Sequence, residues 1–350
     1  MVEKINVLIA GVGGGSHGLE ILKALRVSDI KYNICGTDMS PYSLGLYKAD
    51  KGYTVPPAMH QDYIPIILDI CEKESIDVIF HGSESDLKAL SDNREIFKEK
   101  NIFLPLNSKR VIDICMDKNE TFLLLNNKGI NTPRTMAIDS EKDLGSIDFF
   151  PVIIKPYKGG GGSRNTYIAQ DKDELCFFCN YIIKYGGNPL VQEYVGSYDN
   201  EYTVGILSGI EGGIISSVAI KRSILSGLSN RLYLHSKNKE EILAISSGIS
   251  QGEVINDKKL LDECKKIALT IESKGPINIQ CRFVDNKLYP FEINPRFSGT
   301  TFMRALAGVN EPDLFIRKYL LKETLSKDII PNEGLVLRGL EESFIEKKTN

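Results

Sequence analysis

Leu288-Tyr-Pro-Phe-Glu-Ile-Asn-Pro-Arg-Phe-Ser-Gly-Thr300 sets Glu292, Asn294 and Arg296 on alternate positions of a short apolar run. Residues two apart on a strand share a face, so an acid, an amide and a guanidinium point together at one place. The run before it, Pro276-Ile-Asn-Ile-Gln-Cys-Arg-Phe-Val284, has strand composition, and Asp285, Asn286 and Lys287 separate the two as in a hairpin. A three-residue loop centred on Asn286 predicts that Val284 pairs with Leu288 and Gln280 with Glu292. Four polar groups then converge on one sheet face, a set suited to a metal ion and a phosphate. An antiparallel sheet with one wet side would show the same alternation, so the rest of the chain has to decide.

The second signal is Phe149-Phe-Pro-Val-Ile-Ile-Lys-Pro-Tyr-Lys-Gly-Gly-Gly-Gly-Ser-Arg164. An apolar strand that carries Lys155 and opens into four glycines offers a fixed cation beside backbone N–H groups able to close over phosphate oxygens. It is not a Walker loop, which needs its lysine directly after the glycines at a helix start. Four glycines in a plain surface hairpin would be costly to order. Val191-Gln-Glu-Tyr-Val-Gly196 followed by Glu201-Tyr-Thr-Val204 reads as strand, linker and strand, able to present backbone groups to a purine and a carboxylate to a ribose. An interdomain linker would look the same, and Lys118 at a helix start is weaker still.

The first third alternates strand and helix: strands at Ile5–Ala10, Tyr32–Thr37, Val78–His81 and Ile102–Leu104, helices at His17–Arg26, Pro65–Glu74 and near Leu87–Lys100. That alternation predicts a parallel sheet covered on both faces. Gly11-Val-Gly-Gly-Gly-Ser16 resembles a dinucleotide turn, with Asp38 beyond it, but its spacing is irregular and a tight strand-to-helix crossing needs glycines anyway. His81-Gly-Ser-Glu-Ser-Asp86 follows a strand at the carboxyl edge of that sheet, where Ser83 or Glu84 could meet a ligand or simply cap a helix. Further on, a helix is expected at Lys118–Lys128, then strands at Glu201–Leu207 and Gly213–Ile220 and helices at Lys258–Ser273 and Thr301–Ala307. Lys221 to Gln251, rich in Ser, Asn, Gly and charge, reads as a mobile loop region near a cleft.

Composition narrows the class. At 350 residues, 42% hydrophobic and 25% charged, the chain has material for two or three domains. A net charge of -3 argues against nucleic acid or a membrane surface as partner. Nothing approaches the roughly 20 apolar residues of a membrane span, and the start Met-Val-Glu-Lys is unlike a signal peptide. Seven scattered cysteines suit a reducing cytoplasm, and Cys176 and Cys179 have the spacing of one helix face. The four histidines show no ligand spacing.

Taken together, Lys118, Phe150-Pro-Val-Ile-Ile-Lys155, the glycine run, Gln192–Val195, Glu201, Gln280 and Glu292-Ile-Asn-Pro-Arg296 stand in the order and spacing of the ATP-grasp superfamily. The chain most resembles the synthetase domains of the carbamoyl phosphate synthase large chain and biotin carboxylase. The resemblance implies a fold of the α/β class (α+β ATP-grasp): an N-terminal parallel-sheet domain, residues 1–112, before a two-lobed ATP-grasp domain, residues 113–330 with a lid at about 131–193. A C-terminal strand and polar tail, 331–350, would follow.

The resemblance also implies roles. Lys118 and Lys155 match positions that contact nucleotide phosphates, and Gly159, Gly160, Gly161, Gly162 and Ser163 match the loop that closes over them. Gln192, Glu193, Tyr194 and Val195 match the adenine hinge and Glu201 the ribose acid. Gln280, Glu292 and Asn294 match magnesium ligands, with manganese as an alternative ion. Arg296 matches the residue that steadies the transferred phosphoryl group, with Lys155 and Asn294 beside it in the catalytic set. Glu84, Arg222, Arg231, Ser298, Gly299 and Arg304 are candidates for substrate contact, and a helix beginning near Ser298 would aim its positive end at an anion. Gln280 stands where biotin carboxylase has glutamate, while lysine at 118 and 155 replaces the arginines of carbamoyl phosphate synthase.

The expected activity is an ADP-forming, cytoplasmic carboxylate-amine ligase acting on a small-molecule carboxylate and amine with ATP and Mg2+. A homodimer is common among such relatives. Rival readings are a bicarbonate-using carboxylase or carbamoyl-phosphate-like enzyme, a non-catalytic nucleotide-binding module, and an NAD-linked oxidoreductase using Gly11–Gly15. Since the chain reads as one ATP-grasp unit without duplicated halves, carbamoyl phosphate or biotin chemistry is the less expected outcome.

Overall fold

A computed structural model describes residues 4–13, 17–159, 163–237, 240–326 and 328–345. The chain begins β1 (Asn6–Ala10), α1 (His17–Arg26), β2 (Asn33–Asp38), α2 (Leu44–Lys48), β3 (Lys51–Thr54), α3 (Tyr63–Glu74), β4 (Val78–His81), α4 (Glu84–Asp92) and α5 (Arg94–Glu99). The strands are parallel in the order β3-β2-β1-β4. Val7, Leu8, Ile9, Val78, Ile79 and Phe80 are all fully buried, as expected where helices cover both faces. The strand order reverses at β1, so the carboxyl ends of β1 and β4 flank a crevice of the kind where open α/β sheets bind ligands.

Glycines let that crevice form. A Cβ on Gly82 would lie 1.8 Å from the Gly11 carbonyl oxygen, and one on Gly18 2.1 Å from it. Only bare backbone lets the turn after β4 and the start of α1 close together on the end of β1. Within the dinucleotide-like turn Gly11 has its own packing reason, a φ of 87° and a Cβ that would lie 2.4 Å from Asp86 Oδ2; Gly14, Gly15 and Ser16 lie outside the described residues. Two local expectations differ from the structure. The single helix predicted to Lys100 is broken at Asn93, whose side-chain amide donates to Ala89 O at 2.9 Å and so competes with the helical ladder. The strand predicted at Ile102–Leu104 is only a parallel bridge from Phe103 to Val78.

Next come α6 (Lys109–Met116), α7 (Lys118–Asn127), β5 (Thr135–Ala137), α8 (Glu141–Ser146), β6 (Val152–Pro156), β7 (Tyr167–Ala169), α9 (Lys172–Lys184) and β8 (Pro189–Glu193). Their strands form an antiparallel sheet, β5-β8-β6-β7. α9 covers it with Leu175, Cys179 and Ile182, so both CxxC thiols sit on a packed helix and burial pushes the Cys179 thiol up to about 12. The remainder is β9 (Glu201–Ser208), β10 (Ile214–Arg222), β11 (Asn230–His235), β12 (Ile242–Ser246), β13 (Gly252–Ile255), α10 (Lys258–Thr270), β14 (Pro276–Val284), β15 (Lys287–Asn294), α11 (Thr301–Leu306), α12 (Glu311–Tyr319) and β16 (Gly334–Val336). Six of these strands make the antiparallel sheet β15-β14-β9-β10-β13-β16. Leu260, Cys264 and Ile267 of α10 and Phe122 and Leu125 of α7 share a core with its strand residues Val204, Ile279 and Ile293.

The stretch expected as a mobile loop, Lys221–Gln251, holds the β11–β12 hairpin, with Tyr233 opposite Ala244. Its Leu243 and Ile245 pack with Ile168 and Tyr194, which gives the segment an apolar reason to order. The short apolar run Ile242-Leu-Ala-Ile245 was the signal, hidden among polar neighbours.

The opening hairpin is present with a different turn. Asp285 and Asn286 both have positive φ, 49° and 61°, and Val284 pairs with Lys287, so the loop has two residues rather than three. A β-bulge then intervenes: Cys281 faces Pro290 while Gln280 faces Glu292, leaving Phe291 as the extra residue. The bulge restores the residue that the shorter turn removes, and Gln280 and Glu292 end opposite each other as expected.

Candidate active site

A cleft of about 740 Å³ lies between the β5-β8-β6-β7 sheet and the six-stranded sheet. Ile153 and Tyr194 line it together with Ala244 and Ile245 of the hairpin and Tyr289 and Phe291 of β15. Lys118, Lys155, Gln280 and Glu292 line it as well. A planar apolar group fits the apolar lining and an anion the lysines.

Lys155 is 6% exposed. Its ammonium donates to Gln192 Oε1 at 2.9 Å and to the carbonyl of the bulge residue Phe291 at 2.6 Å. Burial drags its pKa down to about 7; Glu292 opposes the fall and Lys118 adds to it. A partly dry ammonium with neutral partners is a ready acceptor of negative charge. Lys118 is set beside it because Asp117 caps α7, accepting from the N–H groups of Asn119 and Glu120 at 3.0 and 3.2 Å. The same carboxylate pairs with Lys158 at 3.2 Å, and Lys118 N–H donates to Tyr157 O at 2.9 Å. Helix start and strand exit are thus tied together.

Glu292 is the pivot. One carboxylate oxygen lies 3.9 Å from Lys118 Nζ and the other accepts from Gln280 Nε2 at 3.3 Å. Asn294 is buried and its terminal nitrogen has no partner. Glu292 and Asn294 line a small cavity with Lys118, Gly159 and Glu84. Among the described residues no cluster of three His, Cys, Asp or Glu could cage a metal. Mg2+, however, takes one or two carboxylates and completes its shell with water and phosphate. Glu292 flanked by two amides fits such an ion held jointly with a nucleotide.

Gln192, Glu193, Tyr194 and Val195 also line the cleft. Glu193 pairs with Arg134 at 3.2 Å, and Val195 O accepts from Arg282 Nη1 at 3.0 Å. Glu201 lines it too, but both oxygens face arginines, Arg222 at 3.0 Å and Arg282 at 3.6 Å, in a buried triad. Ser163, at φ 60°, donates its hydroxyl to Ser246 O at 3.0 Å and so joins the glycine loop to the hairpin. Gly159 is on the small cavity; Gly160, Gly161 and Gly162 lie outside the described residues.

A second cavity of about 1130 Å³ opens at the crevice of the first sheet and shares Ser163, Gln280 and Glu292 with the cleft. Arg296, Arg222, Glu84, Ser298 and Gly299 line it, as do His17, Thr203 and Asn278, which the sequence reading did not single out. Arg296 Nη2 lies 3.7 Å from Glu84, its Nη1 donates to Phe297 O, and its Nε is buried without a partner. Burial, with the Arg296 guanidinium adding to it, holds the His81 imidazole down at about 3 and His17 well below the usual range, so both are neutral. Arg304 lines neither cavity: it is engaged by Glu311 at 3.1 Å and by Asn278 and Ser298, and so braces two residues that do. Arg231 is exposed on β11, also away from both linings. Arg282, Tyr289 and the hairpin residues 244–246 were missed, being scattered among strands with no motif of their own.

Two family models match the chain: PylC-like, N-terminal domain, over residues 7–104, and ATP-grasp in the biosynthetic pathway with Ter operon, over 188–342. The carbamoyl phosphate synthase large chain of Clostridium beijerinckii is 29% identical over 304 residues, covering 84% of this chain and 26% of that protein. That of Clostridium botulinum strain Eklund 17B is 30% identical over 289 residues, covering 80% and 25%. The chain therefore spans about a quarter of the length of the curated relatives it matches. Among solved structures, N5-carboxyaminoimidazole synthetase from Staphylococcus aureus with ADP superposes with a TM-score of 0.65 at 15% identity, covering 95% of this chain and 81% of that one. Biotin carboxylase from Campylobacter jejuni, in its β,γ-ATP complex, gives 0.63 at 18%, covering 90% and 70%. L-amino acid ligase from Bacillus licheniformis gives 0.64 at 14%, covering 91% and 75%. Residues 188–342, which match the ATP-grasp model, thus carry most of the six-stranded sheet that faces the lysine-lined cleft, behind a PylC-like N-terminal unit, and the whole fold resembles solved ATP-dependent synthetases and carboxylases.

Proposed function

We propose that the protein is an ADP-forming ligase that activates a small-molecule carboxylate with ATP and joins it to an amine. One observation carries the reading: Glu292 and Gln280 line both the cleft and the arginine-lined cavity, so the two open on one cation-rich junction. A nucleotide lying in the cleft with its base by Tyr194 and Ile245 has its phosphates at Lys155 and Lys118. A carboxylate in the second cavity meets Arg296 beside that junction.

The chemistry follows from placement. A carboxylate oxygen bonds to the γ-phosphorus as the bond to the β,γ-bridging oxygen breaks, its electron pair leaving on ADP. The amine nitrogen then bonds to the acyl carbon, the carbon–oxygen bond to phosphate breaks, and the departing phosphate takes the amine's surplus proton. No side-chain nucleophile is needed, since positioning and fixed charge supply the acceleration. Lys155 and Lys118 offset the triphosphate charge, and Arg296 bears on the oxygens of the transferred group. Magnesium, when bound, neutralises phosphate charge, and Glu292 with Gln280 and Asn294 would hold it.

Likeness to biotin carboxylase and carbamoyl phosphate synthase favours bicarbonate as the rival acid. Steady-state ADP release across carboxylate and amine pairs, with bicarbonate as a separate arm, decides between them. Release driven only by bicarbonate would sink the ligase reading. Glu292→Ala should abolish magnesium-dependent ADP formation, and undiminished turnover would mean that the metal site lies elsewhere.

A further inference from the structure

We propose that the carboxylate substrate is a polar α-amino acid bound as its zwitterion, with its carboxylate at Arg296 and its ammonium at Glu84. This rests on the ligase reading above and narrows it.

The argument starts from charge. Of the three arginines on the second cavity, Arg164 is exposed, and Arg222 is already neutralised from behind by Glu201 at 3.0 Å, in a pair buried on both sides. Arg296 is different: its facing carboxylate, Glu84, is 3.7 Å away, longer than a charge-assisted hydrogen bond, and that side chain is 31% exposed on the cavity wall. The guanidinium is nine-tenths buried and its Nε has no partner. Besides the exposed Arg164 and Glu292, the residue assigned above to the metal, this loose pair puts one cation and one anion on offer side by side. A plain carboxylate docking on Arg296 would lie next to the Glu84 carboxylate and be repelled by it. A zwitterion meets both groups with opposite charges, since the carboxylate and ammonium of an α-amino acid are separated by a single carbon. The neutral His17 beside them contributes hydrogen bonding without altering this balance.

Placement supports the same orientation. Arg296 is two residues past Asn294 and shares the cavity with Glu292, so it stands at the phosphoryl junction. Glu84 comes from the start of α4 at the carboxyl edge of the first sheet, and also lines the small cavity with Glu292 and Asn294. The carboxylate at Arg296 therefore stands at the phosphoryl junction, with the ammonium beside it on the side of the first sheet. The rest of the wall bears on the side chain. Among the described residues no aliphatic or benzenoid side chain lines this cavity; hydroxyls from Ser83, Ser85, Ser250, Ser298 and Thr300 dominate it. An aliphatic side chain would lose nothing to water there and gain no apolar contact, whereas a polar one finds partners.

The test uses the full chain with ATP, Mg2+ and hydroxylamine. Hydroxylamine attacks an acyl phosphate and releases phosphate and a hydroxamate, so activation is read without knowing the natural amine. Free polar and aliphatic amino acids are compared with their deaminated counterparts, for wild type and Glu84→Gln. Expected are hydroxamate and ADP from one or more polar amino acids, loss of both on deamination, and a KM raised roughly ten- to a hundred-fold in Glu84→Gln. The deaminated acid should gain or hold its rate in that variant, which a merely structural lesion would not produce. Activation of bicarbonate, deaminated or aliphatic acids in preference overturns this assignment alone, as does an unchanged amino-to-deaminated ratio in Glu84→Gln. No ADP or hydroxamate from any acid overturns the ligase reading together with it.

Discussion

Replacing Lys155 by methionine should stabilise the ligand-free protein at neutral pH and do so less as the pH rises. Lysine in an unfolded chain titrates near 10.4, whereas native Lys155 is held at about 7 by burial. Between those values the unfolded chain keeps a proton that the native protein has shed, so native stability rises with pH across the window. Below about 7 both states carry the charge and the full penalty of burying it remains. Two pH units inside the window, from 7 to 9, correspond to about 2.5 kcal/mol at 1.36 kcal/mol per unit. Lys155→Met removes the titration, so its stability advantage over wild type should shrink by about that amount between pH 7 and pH 9. The lost hydrogen bonds to Gln192 and Phe291 and the altered packing count equally at both pH values and cancel in the difference. Urea unfolding of both proteins at the two pH values measures it. Parallel stability profiles, with a constant gap between variant and wild type, would refute the reasoning. The same burial predicts that ATP, by bringing anions to Lys155, draws a proton in at pH 8 to 8.5; calorimetry in buffers of differing ionisation enthalpy reads that uptake.

Glu201→Gln strips the acid from between Arg222 and Arg282, all three buried, and should cost about 3–5 kcal/mol in urea unfolding, because two guanidinium groups lose their counter-ion; a loss under 1 kcal/mol would show the triad to be wet. Asp117→Ala removes the cap of α7 and the partner of Lys158, with an expected loss of about 1 kcal/mol and weaker nucleotide binding, since Lys118 loses its anchor; unchanged affinity in a nucleotide titration would separate the cap from the site. Arg338→Ala cuts a strap that contacts both Glu20 of α1 and the carbonyl of Gly299 on the second cavity. It should raise the KM for the acid more than that for ATP, and equal changes in the two would argue for a general loss of fold.

How far the sequence discloses the site depends on what each residue needs from its neighbours. Lys155, Gln192, Glu201, Gln280, Glu292 and Arg296 sit on or just past strands whose apolar partners fix the facing, so period-two alternation is enough to bring them together. Gly11, Gly18 and Gly82 are legible as glycines but not as one contact, because their close approach links segments far apart in the chain. The β11–β12 hairpin escaped since its apolar face is short and covers a partner, Ile168 and Tyr194, that only the fold supplies. Arg304 misled for the opposite reason: a guanidinium near the site looks like a ligand group until Glu311, seven residues on, is seen to claim it.

The Gln280–Glu292 pair carries the most general point. Its register was expected from a three-residue turn, and the turn has two residues, yet the pair forms because Phe291 is pushed out as a bulge. That extra residue is not a passive correction. Its carbonyl is the 2.6 Å acceptor of the Lys155 ammonium, so the irregularity that re-phases the strand also anchors the buried cation beside Glu292. A regular hairpin with the same turn would move Glu292 out of register with Gln280 and onto the other face, away from Lys118. The burial of Ile293 and the convergence of Glu292 with Lys155 are therefore two consequences of one bulge. Deleting a residue at position 291 should then be far more damaging to nucleotide binding than lengthening the turn at Asn286 by one, which leaves the strand beyond the bulge in phase with its core partners.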